Sequence, residues 1–223
     1  MTFALMTSGG KDSVLALDRA RRDGVEVHYA ATLYDRNSDR VRFHGVRRSL
    51  LEIQAAALGL ELVAVPTTQQ DFERDFSTTL DQLRARGVEG VVFGNVHLAD
   101  VRKWYEDRTA ARGLAHLEPL WGTPAIEVAW EVVERGYRPI ITSVDPQRGA
   151  APYLGREFDA DVVTALGTMD DIDPCGESGE FHTFVFEGPE LRDAVVYSRG
   201  ETLDVDDHRV IDLVPSGSGS ALR

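Results

Sequence analysis

The apolar positions of this chain fall in short runs that alternate with amphipathic stretches. Phe3-Ala4-Leu5-Met6-Thr7 reads as a first strand, and Val14 to Ala20 as a helix that Gly24 closes. Val25 to Leu33 reads as a second strand. Val46, Leu50, Ile53 and Ala57 then recur at helical spacing up to Gly59. Glu61 to Val65 reads as a strand stopped by Pro66, and Asp71 to Arg86 as a helix stopped by Gly87. Gly90-Val91-Val92-Phe93-Gly94 has the texture of a buried strand. Leu98 to Arg112 and Glu127 to Glu134 are helical in pattern, and Pro139 to Val144 is strand-like. Such alternation predicts an α/β fold with a doubly wound, mostly parallel sheet covered by helices on both faces. Ligands of these sheets lie beyond the carboxyl ends of the strands. Residues 8–13, the strand exit at Thr32-Leu33, and Gly94-Asn95 are therefore expected to converge.

From about Gly149 the pattern changes. Asp159 to Leu166 reads as one helix, 173–180 as turns, and Phe181 to Phe186 and Ala194 to Ser198 as short strands. This predicts a first domain over 1–148, a smaller α+β substrate-binding lobe over 149–215, and a flexible Ser/Gly tail over 216–223.

Composition narrows the function classes. The 223 residues, 43% of them hydrophobic, suit one α/β domain with an appendage. No apolar stretch is long enough to cross a bilayer, and no signal peptide is visible. One cysteine, Cys175, excludes an internal disulfide and fits a cytoplasmic setting. The net charge of −13 argues against nucleic acid as a partner. Arg19-Ala20-Arg21-Arg22 and Arg47-Arg48 lie on expected helices and read as solvated faces. A protein substrate remains open, and the chain is compatible with a homodimer.

Two segments carry chemistry. Ser8-Gly9-Gly10-Lys11-Asp12-Ser13 sits between the first strand and first helix, where backbone N–H groups and the helix end favour phosphate. Lys11 adds a charge, Asp12 could hold a metal ion or the loop, and Ser8 and Ser13 add hydroxyls. The spacing differs from the common P-loop, in which four residues separate the glycines. The second segment, Cys175-Gly176-Glu177-Ser178-Gly179-Glu180-Phe181-His182-Thr183, packs two carboxylates, a thiol and an imidazole into nine residues. It could hold a polar substrate or orient a proton acceptor, or simply be a charged surface loop. His28, His97, His116 and His208 read as surface or packing histidines. His44 follows a strand at the ligand edge and is expected near a nucleotide. Trp104 and Trp130 read as core.

Ser8 to Ser13 resembles the PP-loop of the ATP pyrophosphatases, a fold of the adenine nucleotide alpha hydrolase type. Pro174-Cys175-Gly176-Glu177-x-Gly179-Glu180-Phe181-His182-Thr183 narrows this. With Arg42-Phe43-His44, Gly90 to Gly94, Leu117-Glu118-Pro119-Leu120-Trp121-Gly122 and Leu154-Gly155-Arg156, the chain resembles the diphthine–ammonia ligase family up to about Glu187. That resemblance implies adenylylation of a carboxylate by ATP with Mg²⁺, release of AMP and pyrophosphate, and amide formation with ammonia. The implied acceptor is a diphthine-bearing elongation factor. Asn95 to Trp104 resembles bacterial members, and bacteria generally lack diphthamide, so a small carboxylate is the alternative acceptor. A binding module without ligase activity would keep the nucleotide loop without needing the second segment. The single Cys175 argues against sulfur transfer, which usually uses paired cysteines.

The implied site divides in three. Ser8, Gly9, Gly10, Lys11, Asp12, Ser13, Leu33, His44, Gly94 and Asn95 hold the nucleotide, with Asp12 toward Mg²⁺. Glu118, Trp121, Cys175, Gly176, Glu177 and Glu180 hold the acceptor. Lys11, Asp12, Glu177, Glu180 and His182 act in catalysis, and Glu177, Glu180 or His182 could take the proton from ammonium.

Overall fold

A computed structural model of the chain describes residues 1–205 and 207–216. The expected tail lies outside the described residues apart from Ser216. The elements run β1 (Thr2–Met6), α1 (Lys11–Arg22), β2 (Glu26–Asp35), α2 (Arg48–Ala57), β3 (Glu61–Thr67), α3 (Phe72–Ala85), β4 (Gly90–Val92), α4 (Ala99–Ala110) and β5 (Ala115–Leu117). They continue with α5 (Ala125–Glu134), β6 (Arg138–Val144), a 3₁₀ turn at Ala151–Tyr153, α6 (Ala160–Leu166), β7 (Phe181–Glu187), β8 (Tyr197–Val205) and β9 (His208–Pro215).

The first sheet has the order β3-β2-β1-β4-β5, with every pairing parallel. The chain leaves β1 in one direction for β2 and β3 and returns on its other side for β4 and β5. The loops after β1 and β4 therefore diverge at a topological switch point, where α/β sheets bind ligands. The second sheet, β7-β6-β9-β8, is antiparallel. The alternating series thus ends one strand earlier than the pattern suggested. Strand β6, which precedes Gly149, pairs antiparallel with β7 and β9.

Two details at the first sheet's edges depart from the sequence reading. Strand β3 continues through Pro66 to Thr67, pairing only with β2. An edge strand tolerates the missing proline N–H, whereas a central one would not. Strand β5 escaped notice because three residues are too few to show a period.

Helix α1 buries Val14, Leu15, Leu17 and Ala20, while Arg19, Arg21 and Arg22 occupy its last turn, where the helix dipole favours cations. One apolar cluster runs from Leu15 and Leu50 through Val128 to Ile140 and Phe184, so the two sheets share a core. A second cluster, including Phe76, Leu80, Val91 and Phe93, packs α3 against the other face of the first sheet.

A buried ion pair fastens α1 to the start of the second sheet. Asp18 is fully enclosed and accepts from Arg135 Nε and Nη2, both at 2.8 Å. Arg135→Ala would leave that carboxylate without its partner. Because the Arg135 side chain is itself 34% exposed, the expected loss is about 2 kcal/mol, below the 3–5 kcal/mol of a fully buried pair. Urea unfolding at pH 7 measures it, and a loss within about 0.5 kcal/mol, the usual scatter for surface substitutions, would contradict this role.

Candidate active site

The loop after β1 is held by its own hydroxyls and by the second sheet. Thr7 Oγ1 accepts from the Gly9 N–H at 2.9 Å and shares a 2.8 Å hydrogen bond with Ser13 Oγ. Ser13 Oγ also lies 2.9 Å from the Gly10 carbonyl. The Gly9 carbonyl accepts from the Val185 N–H and from Gln54 Nε2, both at 2.9 Å. The buried Gln54 amide donates again to the Val185 carbonyl at 2.7 Å. Helix α1 has no side-chain cap at Gly10. Instead the Lys11 N–H donates to Thr183 Oγ1 of β7 at 3.1 Å.

Lys11 is 2% exposed. Its ammonium donates to Asp12 Oδ2 at 2.9 Å and to the Cys175 carbonyl, and lies 5.4 and 5.1 Å from the ring centres of Phe158 and Phe181. Burial works against the charge, but Asp12, Cys175 and Glu177 outweigh it and hold Lys11 above its ordinary pKa. Burial raises Asp12 in turn, against the pull of Lys11. Asp12 Oδ1 is buried with no hydrogen-bond partner among the described residues. That orphaned oxygen fits a Mg²⁺ ion, which takes one or two carboxylates and fills its remaining positions with phosphate oxygens and water. Among the described residues no three His, Cys, Asp or Glu side chains converge on a metal-sized site, so oxygens of a bound ligand and water would have to complete the coordination.

The loop after β4 approaches the same helix end. A Cβ at Gly94 would lie 2.7 Å from both the Asp12 carbonyl carbon and the Ser13 nitrogen. Only glycine lets these two backbones meet. Two residues on, the Val96 N–H donates to Glu177 Oε2 at 3.1 Å. His97 Nε2 lies 2.6 Å from Asp173 Oδ2. The 173–183 segment is thus bonded to both loops of the switch point. Glu177 is pushed up to about 7, first by burial and then by the nearby Asp12 carboxylate.

These groups line one cleft of about 450 Å³, within the range of small-molecule sites. Ser8, Gly10, Lys11, Asp12, Ser13 and Leu33 lie on its walls, as do His44, Gly94, Asn95, Cys175, Gly176, Glu177 and His182. His44 Nδ1 is 3.2 Å from the Thr183 carbonyl, so in the neutral ring it is the N–H donor there and Nε2 is left as acceptor. The His44 and His182 ring centres are 4.4 Å apart. Burial lowers His44 to about 4 and His182 well below the ordinary histidine value, so both are neutral at pH 7.

Four expected site residues do not line the cleft. Gly9 turns its carbonyl to Val185 and Gln54. The enclosed Glu118 carboxylate accepts from Asn95 Nδ2 at 3.3 Å and sits 3.2 Å from His116 Nε2, behind the wall. Trp121 stacks under Arg102 at 4.5 Å. Glu180 Oε1 accepts from the Asp173 N–H at 3.1 Å and pairs with Arg148 at 3.2 Å, which braces the turn-rich loop from beneath. Conversely, the sequence reading assigned nothing to Thr183 or Gln54. It also overlooked the wall of Phe72, Phe76, Phe93 and Tyr105, where Tyr105 stacks on Phe93 at 4.3 Å. The helical spacing of α3 and α4 marks Phe72, Phe76 and Tyr105 only as core, and Phe93 reads only as the end of a buried strand.

Residues 1–115 match the family model for the diphthamide synthase N-terminal domain, and residues 125–204 match that for its C-terminal domain. No curated protein matches the chain. Among the described residues no helix is long and apolar enough to cross a membrane.

Gly94→Ala tests the close approach of the two loops. Its methyl would meet backbone that cannot turn aside, so a loss of about 1–3 kcal/mol, typical of overpacking, is expected, together with weakened nucleotide binding. Thermal unfolding and nucleotide titration read both. Unchanged stability with full nucleotide affinity would contradict the geometry.

Proposed function

The chain belongs to the diphthamide synthase family of PP-loop ATPases, and from that premise we propose that it adenylylates a carboxylate and converts it to an amide with ammonia. The observation that carries this reading is the buried, doubly bonded Lys11 ammonium at the open end of α1, with Glu177 across the same cleft.

A carboxylate cannot expel oxide. Attack of its oxygen on the α-phosphorus of ATP forms an acyl adenylate and releases pyrophosphate. Ammonia then attacks the acyl carbon, AMP leaves, and the amide remains. Charge developing on the departing pyrophosphate would meet the α1 N-terminus and the Lys11 ammonium, fixed donors that need no reorganisation. Asp12 would hold Mg²⁺, which when bound neutralises phosphate charge. Ser8 and Ser13, with Gly94 and Asn95 opposite, would border the phosphates and ribose, and Leu33 the base.

Ammonium must lose a proton before it can attack. Of the three groups the sequence offers, Glu177 suits this best. It lines the cleft, and its pKa of about 7 lets it accept a proton near neutrality. Glu180 is braced behind the loop, and the depressed pKa of His182 makes it a weak base. Cys175 and Gly176 would shape the acceptor's entry. The family match favours a diphthine-bearing elongation factor as acceptor. The Asn95–Trp104 stretch, which resembles bacterial members, favours a small carboxylate as a second reading.

Product analysis tests the chemistry. With ATP, ammonia and acceptor, the expected products are AMP and pyrophosphate, and ADP with orthophosphate would overturn the reading. Lys11→Ala should slow this cleavage by roughly 2–4 kcal/mol of transition-state stabilisation, as for loss of one oxyanion donor.

The pH dependence tests Glu177. Its protonated form prevails below its raised pKa and its carboxylate above it, so amide formation should rise as pH passes through about 7. Glu177→Gln should abolish that rise and lower the rate about 10²-fold or more. A Gln variant with the wild-type pH profile would exclude Glu177 as the base.

A further inference from the structure

Strand β9 lies beyond the matched residues 125–204 and packs against the β2–α2 loop, whose residues 41–44 line the cleft. Asp212 on β9 is 8% exposed and faces two arginines of the β2–α2 loop. Its Oδ1 lies 2.8 Å from Arg40 Nη1 and 2.9 Å from Arg47 Nε, and its Oδ2 lies 2.7 Å from Arg47 Nη2. Arg40 Nη1 also donates to the Gly45 carbonyl at 2.8 Å. Beside this pair the backbone at Gly45 rests on Val210, so that a Cβ there would fall 2.1 Å from Val210 Cγ1. One carboxylate and one valine of β9 thus pin both ends of a short loop.

Between the pinned points stand Phe43 and His44. Phe43 has φ +63°, a left-handed conformation that a bulky residue rarely adopts. Its side chain is 46% exposed, so burial alone does not impose that conformation. Strain of this kind persists only where the surroundings over-determine it. His44 reaches over the nucleotide loop, where a Cβ at Gly10 would lie 3.1 Å from His44 Cε1. His208, also on β9, packs its ring 5.9 Å from Phe43 and 5.5 Å from His182.

We propose that Asp212 is a positioning residue: through Arg40 and Arg47 it fixes the β2–α2 loop so that Phe43 and His44 close one side of the cleft over the phosphate-binding loop. Its consequence for ATP rests on the function proposed above, whereas the clamp itself does not.

Hydrogen exchange and steady-state kinetics on the full chain separate the two. In Asp212→Asn, amide exchange over residues 36–47 should accelerate by roughly tenfold or more while exchange in β1 and β4 stays at the wild-type level. The KM for ATP should rise about tenfold with kcat within about twofold. Arg47→Gln, made from the loop side and away from the β9 core, should reproduce both effects, and Asp212→Glu should partly restore them. Added to His44→Ala, Asp212→Asn should raise KM no further, because both act through one contact. Folded Asn and Gln variants with wild-type loop exchange and KM would overturn the proposal. So would acceleration spread evenly over both sheets, the mark of a merely structural role. Localised loop acceleration in a chain that never binds ATP would uphold the clamp and reject the nucleotide reading.

Discussion

A buried ammonium organises this molecule. An isolated charge cannot be withdrawn from water at tolerable cost, so Lys11 must have fixed partners wherever it is enclosed. One partner, Asp12, is its neighbour in sequence. The other, the Cys175 carbonyl, comes from the far end of the chain. Lys11 is therefore satisfied only when the 173–183 segment has folded against the end of the first sheet. The same demand appears at the Lys11 N–H, which takes Thr183 Oγ1 as its cap, and at the Gly9 carbonyl, which takes the Val185 N–H.

Function follows from that arrangement. The two carboxylates nearest Lys11 have different environments. Asp12 is paired with the ammonium and has one oxygen without a hydrogen-bond partner among the described residues, while Glu177 is held by the Val96 N–H at a raised pKa. Divergent environments for similar groups are how one site runs two kinds of chemistry. In the proposed reaction they would separate the cation-binding duty of Asp12 from the proton-accepting duty of Glu177 across one cleft. The shared core under both sheets gives that cleft rigid walls, as preorganised electrostatic stabilisation requires.

Much of this was legible in the sequence because it is local. Strand, glycine turn and helix around Ser8 to Ser13 are adjacent in the chain, and the switch-point rule supplied the meeting with Gly94 and Asn95. The density of Cys175 to Thr183 marked a second site segment, but not which way each side chain turns. Glu177 and Glu180 are three residues apart, and the loop sends one into the cleft and the other beneath it to Arg148. Glu118 and Trp121 carry a recognisable motif, yet they support Asn95 and Arg102 from behind the wall. Gln54 and Asp212 were invisible because Gln54 ties Gly9, 45 residues away, to Val185, 131 residues away, and Asp212 meets Arg47 across 165 residues. The sheet to which β6 belongs is not legible in the sequence, because a strand's own pattern does not name its neighbours.

In the proposed function one cleft, built jointly by the 8–13 loop and the 173–183 segment, holds ATP with its phosphates at Lys11. A crystal structure with a non-hydrolysable ATP analogue and Mg²⁺ tests it most directly. The expected result is phosphate oxygens on the N–H groups at the start of α1 and on the Lys11 ammonium, the cation on Asp12, and Glu177 facing the α-phosphate. An analogue bound elsewhere, or seated in the cleft with its phosphates turned away from Lys11, would contradict it.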